Sequence, residues 1–210
     1  MSITTPKIIL HSDQSVALTA GRDQELIRSL SGKRLPRIGY IPSTPDRRRK
    51  YFAEKDAYYQ KIGFSGLQYF DPAEGASEEE ISSFFSLDVI HLAGGEVVPF
   101  MNSLRNSGCD ARLKAFAARG GLLLGLSAGA MLLGKTFASA SLFGEKGVFD
   151  GMGFFDFEVV PHVSENFPRL DILRDFAKRQ KKTVYALNDG DVVVISGAKI
   201  RTYGSVTKID

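Results

Sequence analysis

Residues 121–133, GLLLGLSAGAMLL, constrain this chain more than any other stretch. Leu122, Leu123 and Leu124 form an apolar run, Gly125-Leu126-Ser127-Ala128-Gly129 turns sharply, and Ala130-Met131-Leu132-Leu133 suits a helix. A buried strand that enters a helix through small residues, with one hydroxyl at the apex, is the nucleophile-elbow pattern. Such a turn needs glycine on both sides of Ser127, because a Cβ at Gly125 or Gly129 would meet the strand or the helix. The helix then aims its free N–H groups at negative charge developing beside the hydroxyl. The competing expectation is a glycine-rich turn with an incidental serine.

The chain around this stretch alternates strand and helix signals. Short apolar runs at 8–10, 38–42, 67–70 and 89–93 predict strands. Helical spacing at 22–30 and about 47–62, and further helices from about 98 and over 110–118, separate them. Ser77-Glu78-Glu79-Glu80 is a capping-box signature for a short helix through Phe85. Alternation of this kind predicts an α/β fold with a mostly parallel sheet and helices on both faces. Ligands of such sheets bind at strand carboxyl ends, where both Ser127 and the Gly94-Gly95 loop fall. Residues 136–153 read as loop and 154–163 as an extended run ending at Pro161-His162. A helix is expected over 170–178. Three short strands, at 183–187, 192–195 and 199–202, read as hairpins at one sheet edge, joined by Asn188-Asp189-Gly190 and Gly197-Ala198.

Composition narrows the partners. With 43% hydrophobic and 24% charged residues, the 210-residue chain can fill a core, and one domain over 1–210 is expected. Net charge is only +3, so neither a nucleic acid nor a membrane surface is an expected partner. The local exception, Arg47-Arg48-Arg49-Lys50, reads as a solvated face. Cys109 is the one cysteine, which excludes a disulfide within the chain and points to a reducing cytoplasm. No apolar run is long enough to span a bilayer, and the N-terminus lacks the basic and apolar regions of a signal peptide.

A serine nucleophile needs a base, and histidine is the usual one near neutral pH. The chain offers three: His11, His91 and His162. His91 lies inside a strand pattern and reads as a core residue; His11 ends the first strand and stays open on position. His162 follows an apolar strand and opens a polar loop, which makes it the preferred base. Asp189 is the first choice for the acid that orients it, followed by Asp150 and Glu165; a hairpin turn would want Asn-Asp-Gly for its own sake. Ala128 supplies one oxyanion-hole N–H, and Gly94 or Gly95 the other. The α/β-hydrolase order of Ser, acid, His fits poorly, since no histidine follows Asp189.

Together, Leu92-Ala93-Gly94-Gly95, the turn at Ser127, Pro161-His162 and Leu187-Asn188-Asp189-Gly190 resemble the peptidase E and cyanophycinase family of serine peptidases. The resemblance spans nearly the whole chain. It implies a three-layer sandwich like that of class I glutamine amidotransferases, with a C-terminal antiparallel edge. It also implies Ser127 as nucleophile, His162 as base, a hole around Gly95 and Ala128, and hydrolysis of short peptides or peptide-like amides without metal or cofactor.

Three departures stand out. The loop carries Glu96 where the family has Asn or Asp-Gln, Asp189 stands in for a Glu, and no Asp occurs near Ser139-Ala140. The amidotransferase Cys and His-x-Glu are replaced by Ser127 and Ser164. Arg169 resembles the arginine with which the aspartyl dipeptidase binds an acidic substrate side chain, or is a solvated arginine at a helix start, and Glu96 is placed either to oppose such a preference or to receive a substrate amino group. The expected partner is a small peptide, and the chain is expected as monomer or homodimer. The alternative reading, based on Glu96 and the shorter Asp189, is a catalytically silent member that binds a peptide or amino acid. A third is an esterase or amidase on non-peptide substrates.

Overall fold

A computed structural model describes residues 6–164 and 169–210. Strand β1 (Lys7–His11) leads into helix α1 (Val16–Ser31), and β2 (Ile38–Ile41) into α2 (Lys50–Lys61). Next come β3 (Gln68–Tyr69), α3 (Glu78–Phe85), β4 (Val89–Leu92), α4 (Val97–Asn106) and α5 (Cys109–Ala118). The turn at Ser127 joins β5 (Leu122–Leu126) to α6 (Ala128–Leu132). The remainder holds β6 (Glu158–Val160), α7 (Leu170–Gln180), β7 (Val184–Ala186), β8 (Val192–Ser196), β9 (Lys199–Tyr203) and β10 (Thr207–Ile209). Local signals account for several boundaries. Ser77 and Glu80 form the expected reciprocal capping box, and Ser15 caps α1 nearly two turns earlier than the apolar spacing suggests.

The larger sheet has the order β3-β2-β4-β5-β1-β8-β9. Its first five strands are parallel, and β8 and β9 form the antiparallel edge. Side chains alternate across it, as strand geometry requires. Ile9, Val89, Leu122 and Leu124 pack against α1 and α2 through Ile27 and Tyr59. Ile8, Leu10, Ile90 and Leu123 face the opposite way, onto Phe100 and Leu104 of α4 and Phe116 of α5. The fold is thus an α/β three-layer sandwich. Because β4, β5 and β1 are neighbours, the loop after Leu92, the turn after Leu126 and Ser12 emerge side by side.

The C-terminal strands differ from the hairpin reading. Only β8 and β9 form a hairpin. β7 leaves the main sheet and lies between β10 and β6 in a three-stranded sheet, antiparallel to one and parallel to the other. Asn188-Asp189-Gly190 therefore links two sheets. The dipeptide chemistry marks a turn, closed by Asp191 N–H donating to the Asn188 carbonyl at 2.9 Å, but does not specify which strands the turn joins. The small sheet buries Val159 and Tyr185 in the main core and turns Val160, Val184 and Ala186 toward Leu173 and Phe176 of α7. Of the extended run at 154–163, only Glu158–Val160 is strand; before it, Phe155 stacks on Phe157 at 4.3 Å. The basic cluster at Arg47–Lys50 is exposed, as expected. No described helix is long and apolar enough to cross a membrane.

Candidate active site

Ser127 occupies the apex between β5 and α6 with φ 50° and ψ −109°, a conformation that a residue with a Cβ adopts only when its surroundings enforce it. The enforcement is visible on both sides. A Cβ on Gly125 would lie 2.5 Å from the Gly129 carbonyl oxygen, and one on Gly129 would lie 2.3 Å from that of Leu92. The Ser127 N–H donates to the His11 carbonyl at 2.9 Å, carrying the β1–β5 ladder one residue past the strand. Its own carbonyl accepts from Ala130 at 2.9 Å and from Met131 at 3.1 Å, which starts the helix.

His162 reaches this apex from the small sheet. Its Nε2 lies 3.0 Å from Ser127 Oγ and its Nδ1 lies 2.7 Å from Asp189 Oδ1. An ionised carboxylate only accepts, so Nδ1 carries the proton and Nε2 is left to accept from the serine hydroxyl. The parallel pairing of β6 with β7 delivers both residues together. Beyond the strands the same pairing continues, with Leu187 N–H donating to the Val160 carbonyl and Val163 N–H to the Leu187 carbonyl, both at 2.9 Å. His162 has φ 56°, a second strained residue, and both it and Asp189 are exposed.

Asp150, His11 and His91 lie elsewhere. Asp150 forms an isolated bridge with Thr136 and its carbonyl accepts from Arg105, away from the imidazole. Glu165 lies outside the described residues. His11 and His91 are both fully buried. His11 Nε2 sits 3.5 Å from Asp23 Oδ1 without forming a hydrogen bond; burial outweighs the carboxylate and lowers the pKa, which favours the neutral ring. His91 meets the Tyr59 hydroxyl at 2.8 Å, and burial drives its pKa well down. The contribution of His11 to the site is its backbone carbonyl.

The Gly94-Gly95 loop closes over Ser127. A Cβ on Gly94 would sit 3.4 Å from that of Ser127. Gly95 has φ +144°, and a Cβ there would fall 2.2 Å from Ser43 Oγ, so both conformation and space require glycine. Among the described residues the N–H groups of Gly95 and Ala128 have no acceptor. Two residues that the sequence did not single out steady the loop. Ser43 Oγ donates to the Gly94 carbonyl at 2.6 Å. Glu145 accepts from the N–H groups of Val97 and Val98 at 2.8 and 2.7 Å, capping α4 from far along the chain. Nothing in local sequence spacing announces either contact.

A cleft of about 620 Å³ opens on Ser127 and His162, bordered by Glu96, Phe143 and Lys146. A second of about 900 Å³ shares Gly95 and Glu96 with it and continues past Asp13, Glu54 and Lys55. Glu96 therefore stands at the junction. Arg169 lines neither cleft. It precedes α7 and its guanidinium is engaged by Asp171, whose carboxyl it holds down to about 2. The fork is thus paired with a carboxylate two residues along the chain, at an exposed helix start.

A three-layer α/β fold with serine, histidine and aspartate in hydrogen-bonded series at strand carboxyl ends has the architecture of a serine hydrolase. The model of peptidase family S51 matches residues 11–203, and the chain belongs to that family. It is a serine-type peptidase. Among solved structures it resembles a protein assigned as a peptidase E from Listeria monocytogenes EGD-e, with TM-score 0.72 and 20% identity over 94% of this chain and 98% of that one. It also resembles a peptidase from an acI-B1 actinobacterium, with TM-score 0.74 and 15% identity over 98% and 90% of the two chains. At these identities the likeness is one of fold. No curated protein matches the chain.

Proposed function

We propose that this peptidase cleaves short peptides or peptide-like amides through an acyl-enzyme on Ser127. The observation that carries the reading is the unbroken series from Ser127 Oγ to His162 to Asp189, at 3.0 and 2.7 Å. As Oγ attacks the carbonyl carbon, its proton passes to His162 Nε2, and the ionised Asp189 stabilises the resulting imidazolium. The oxyanion takes the N–H groups of Ala128 and Gly95, with Gly94 bringing the loop close enough. His162 then protonates the departing amine. Water, deprotonated by the same ring, releases the acid and restores the serine.

The substrate follows from charge around the cleft. Glu96 is exposed where the two clefts meet and has the chemistry to receive a free amino group. Lys146 is the lysine bordering the Ser127 cleft and suits a carboxylate, either the peptide terminus or an acidic side chain. Arg169, engaged by Asp171, is not given that role. Short peptides with a free amino terminus are therefore the preferred class.

Treatment with a fluorophosphonate probe tests the reading against a silent binding protein. Ser127 is expected to take the label, and the Ser127→Ala variant to lose both labelling and peptide hydrolysis while remaining folded. Peptide turnover that survives Ser127→Ala would end the account. A panel of peptides, blocked peptides and esters ranks the substrates; activity confined to esters would move the assignment to an esterase.

A further inference from the structure

Ser12 is completely buried where the two sheets meet and takes no part in the chemistry above. Its Oγ accepts the His162 backbone N–H at 2.8 Å. Its hydroxyl proton has two acceptors, the Leu187 carbonyl at 3.3 Å and Asp189 Oδ1 at 3.4 Å. Its own N–H donates to the Asp191 carbonyl at 3.2 Å, behind the Asp189 turn. The residue before it, His11, supplies the carbonyl that receives Ser127 N–H. Two consecutive residues at the end of β1 thus touch all three members of the series.

We propose that Ser12 is a positioning residue, whose hydroxyl locks the His162 backbone and the Asp189 carboxylate in register with Ser127. The proposal rests on the acyl-enzyme reading given above. The physical need is specific. His162 holds a left-handed backbone at φ 56°, which relaxes unless something fixes it. The imidazole and the carboxylate are 44% and 57% exposed, so packing on the solvent side does not hold them. A hydroxyl can accept from one partner while donating to another, and Ser12 reaches the same Asp189 oxygen that His162 Nδ1 uses. It also crosses the boundary between the sheet that carries the nucleophile and the sheet that carries the base. Nothing in the local sequence His11-Ser12-Asp13 marks this role, since the Ser12 partners His162, Leu187, Asp189 and Asp191 all lie far along the chain.

The test measures fluorophosphonate labelling with its binding and bond-forming steps separated. Ser12→Ala is expected to lower the maximal labelling rate roughly 10- to 100-fold while leaving the half-saturating probe concentration unchanged. Ser12→Thr, which keeps the hydroxyl, restores most of that rate. Ser12→Ala added to His162→Ala leaves the residual rate where His162→Ala alone put it, because the serine acts through the histidine. If Ser12→Ala does not fold, Ser12→Cys keeps the shape with a poor donor and acceptor and is expected to be slowed as well. Wild-type protein that takes no label at Ser127 overturns the acyl-enzyme reading and this proposal with it. Wild-type labelling with an undiminished Ser12→Ala or Ser12→Cys rate overturns the Ser12 role alone. A further loss on top of His162→Ala does the same, since it reveals a purely structural serine.

Discussion

The two halves of the candidate active site are built by different means. The Ser127 half is made of backbone: Gly125 and Gly129 leave no room for a Cβ, and main-chain hydrogen bonds from Ser127 to His11 and from Gly129 to Ala93 fasten the turn between neighbouring strands. The His162 half is made of exposed side chains on two connections of the small sheet. One is rigid by steric exclusion. The other depends on a few long-range hydrogen bonds, with Ser12 at their centre. The contrast teaches that strain is stored at both φ 50° and φ 56° but is enforced locally in the first case and remotely in the second.

Substitutions should therefore separate activity from stability according to the half they strike. In the His162 half, the largest effect on rate is expected from Asp189→Asn, which presents the imidazole in the wrong tautomer: kcat should fall about 10⁴-fold. Its unfolding free energy from urea titration should stay within about 0.5 kcal/mol of wild type, because the side chain is exposed. A large stability loss in this variant would break the contrast. Gly129→Ala should do the reverse. Its Cβ meets backbone, which cannot swing aside, so stability should drop by about 3 kcal/mol in urea titration.

A smaller and graded effect comes from the buried histidines beneath the Ser127 half. Burial lowers both pKa values in the folded state, so the unfolded chain binds protons first as pH falls. Their contribution is intact above about 6.5, the unfolded value, and is lost as pH drops below it toward each ring's lowered folded value, by at most about 1.4 kcal/mol per pH unit for each ring. Urea stability measured from pH 7 to 5 should show this slope, and His91→Gln should reduce it. A flat profile would mean that the rings charge freely in the folded state. The smallest effect is expected at Arg169. Its partner is exposed and it lines neither cleft, so Arg169→Met should change turnover of acidic and neutral peptides by less than about twofold. Lys146→Met should slow acidic peptides more than neutral ones; the opposite ranking would return the acid-binding role to Arg169.

Much of the fold was legible because periodicity and caps act within a few residues. The alternating strands and helices up to α6, the Ser77 capping box and the strained turn at Ser127 all follow from short-range rules. The C-terminal third was harder. Asn188-Asp189-Gly190 reads equally well as a hairpin turn, and the departure of β7 into a second sheet depends on partners at 158–160 and 207–209. The local pattern around Arg169 reads equally as a substrate-binding guanidinium or a solvated arginine at a helix start, and its pairing with Asp171 is a structural observation.

The sequence by itself determined that Ser127 stands at the apex of a turn only glycine neighbours allow, that Gly94-Gly95 ends an adjacent strand, and that few histidines were available to serve them. Those are consequences of Cβ sterics and of apolar spacing, which need no distant contact. Only the tertiary structure decided that Asp189, and not Asp150, meets His162, and that Ser12, Ser43 and Glu145 brace the site. Each of those contacts joins residues far apart in the chain, and their meeting is fixed by how the two sheets pack.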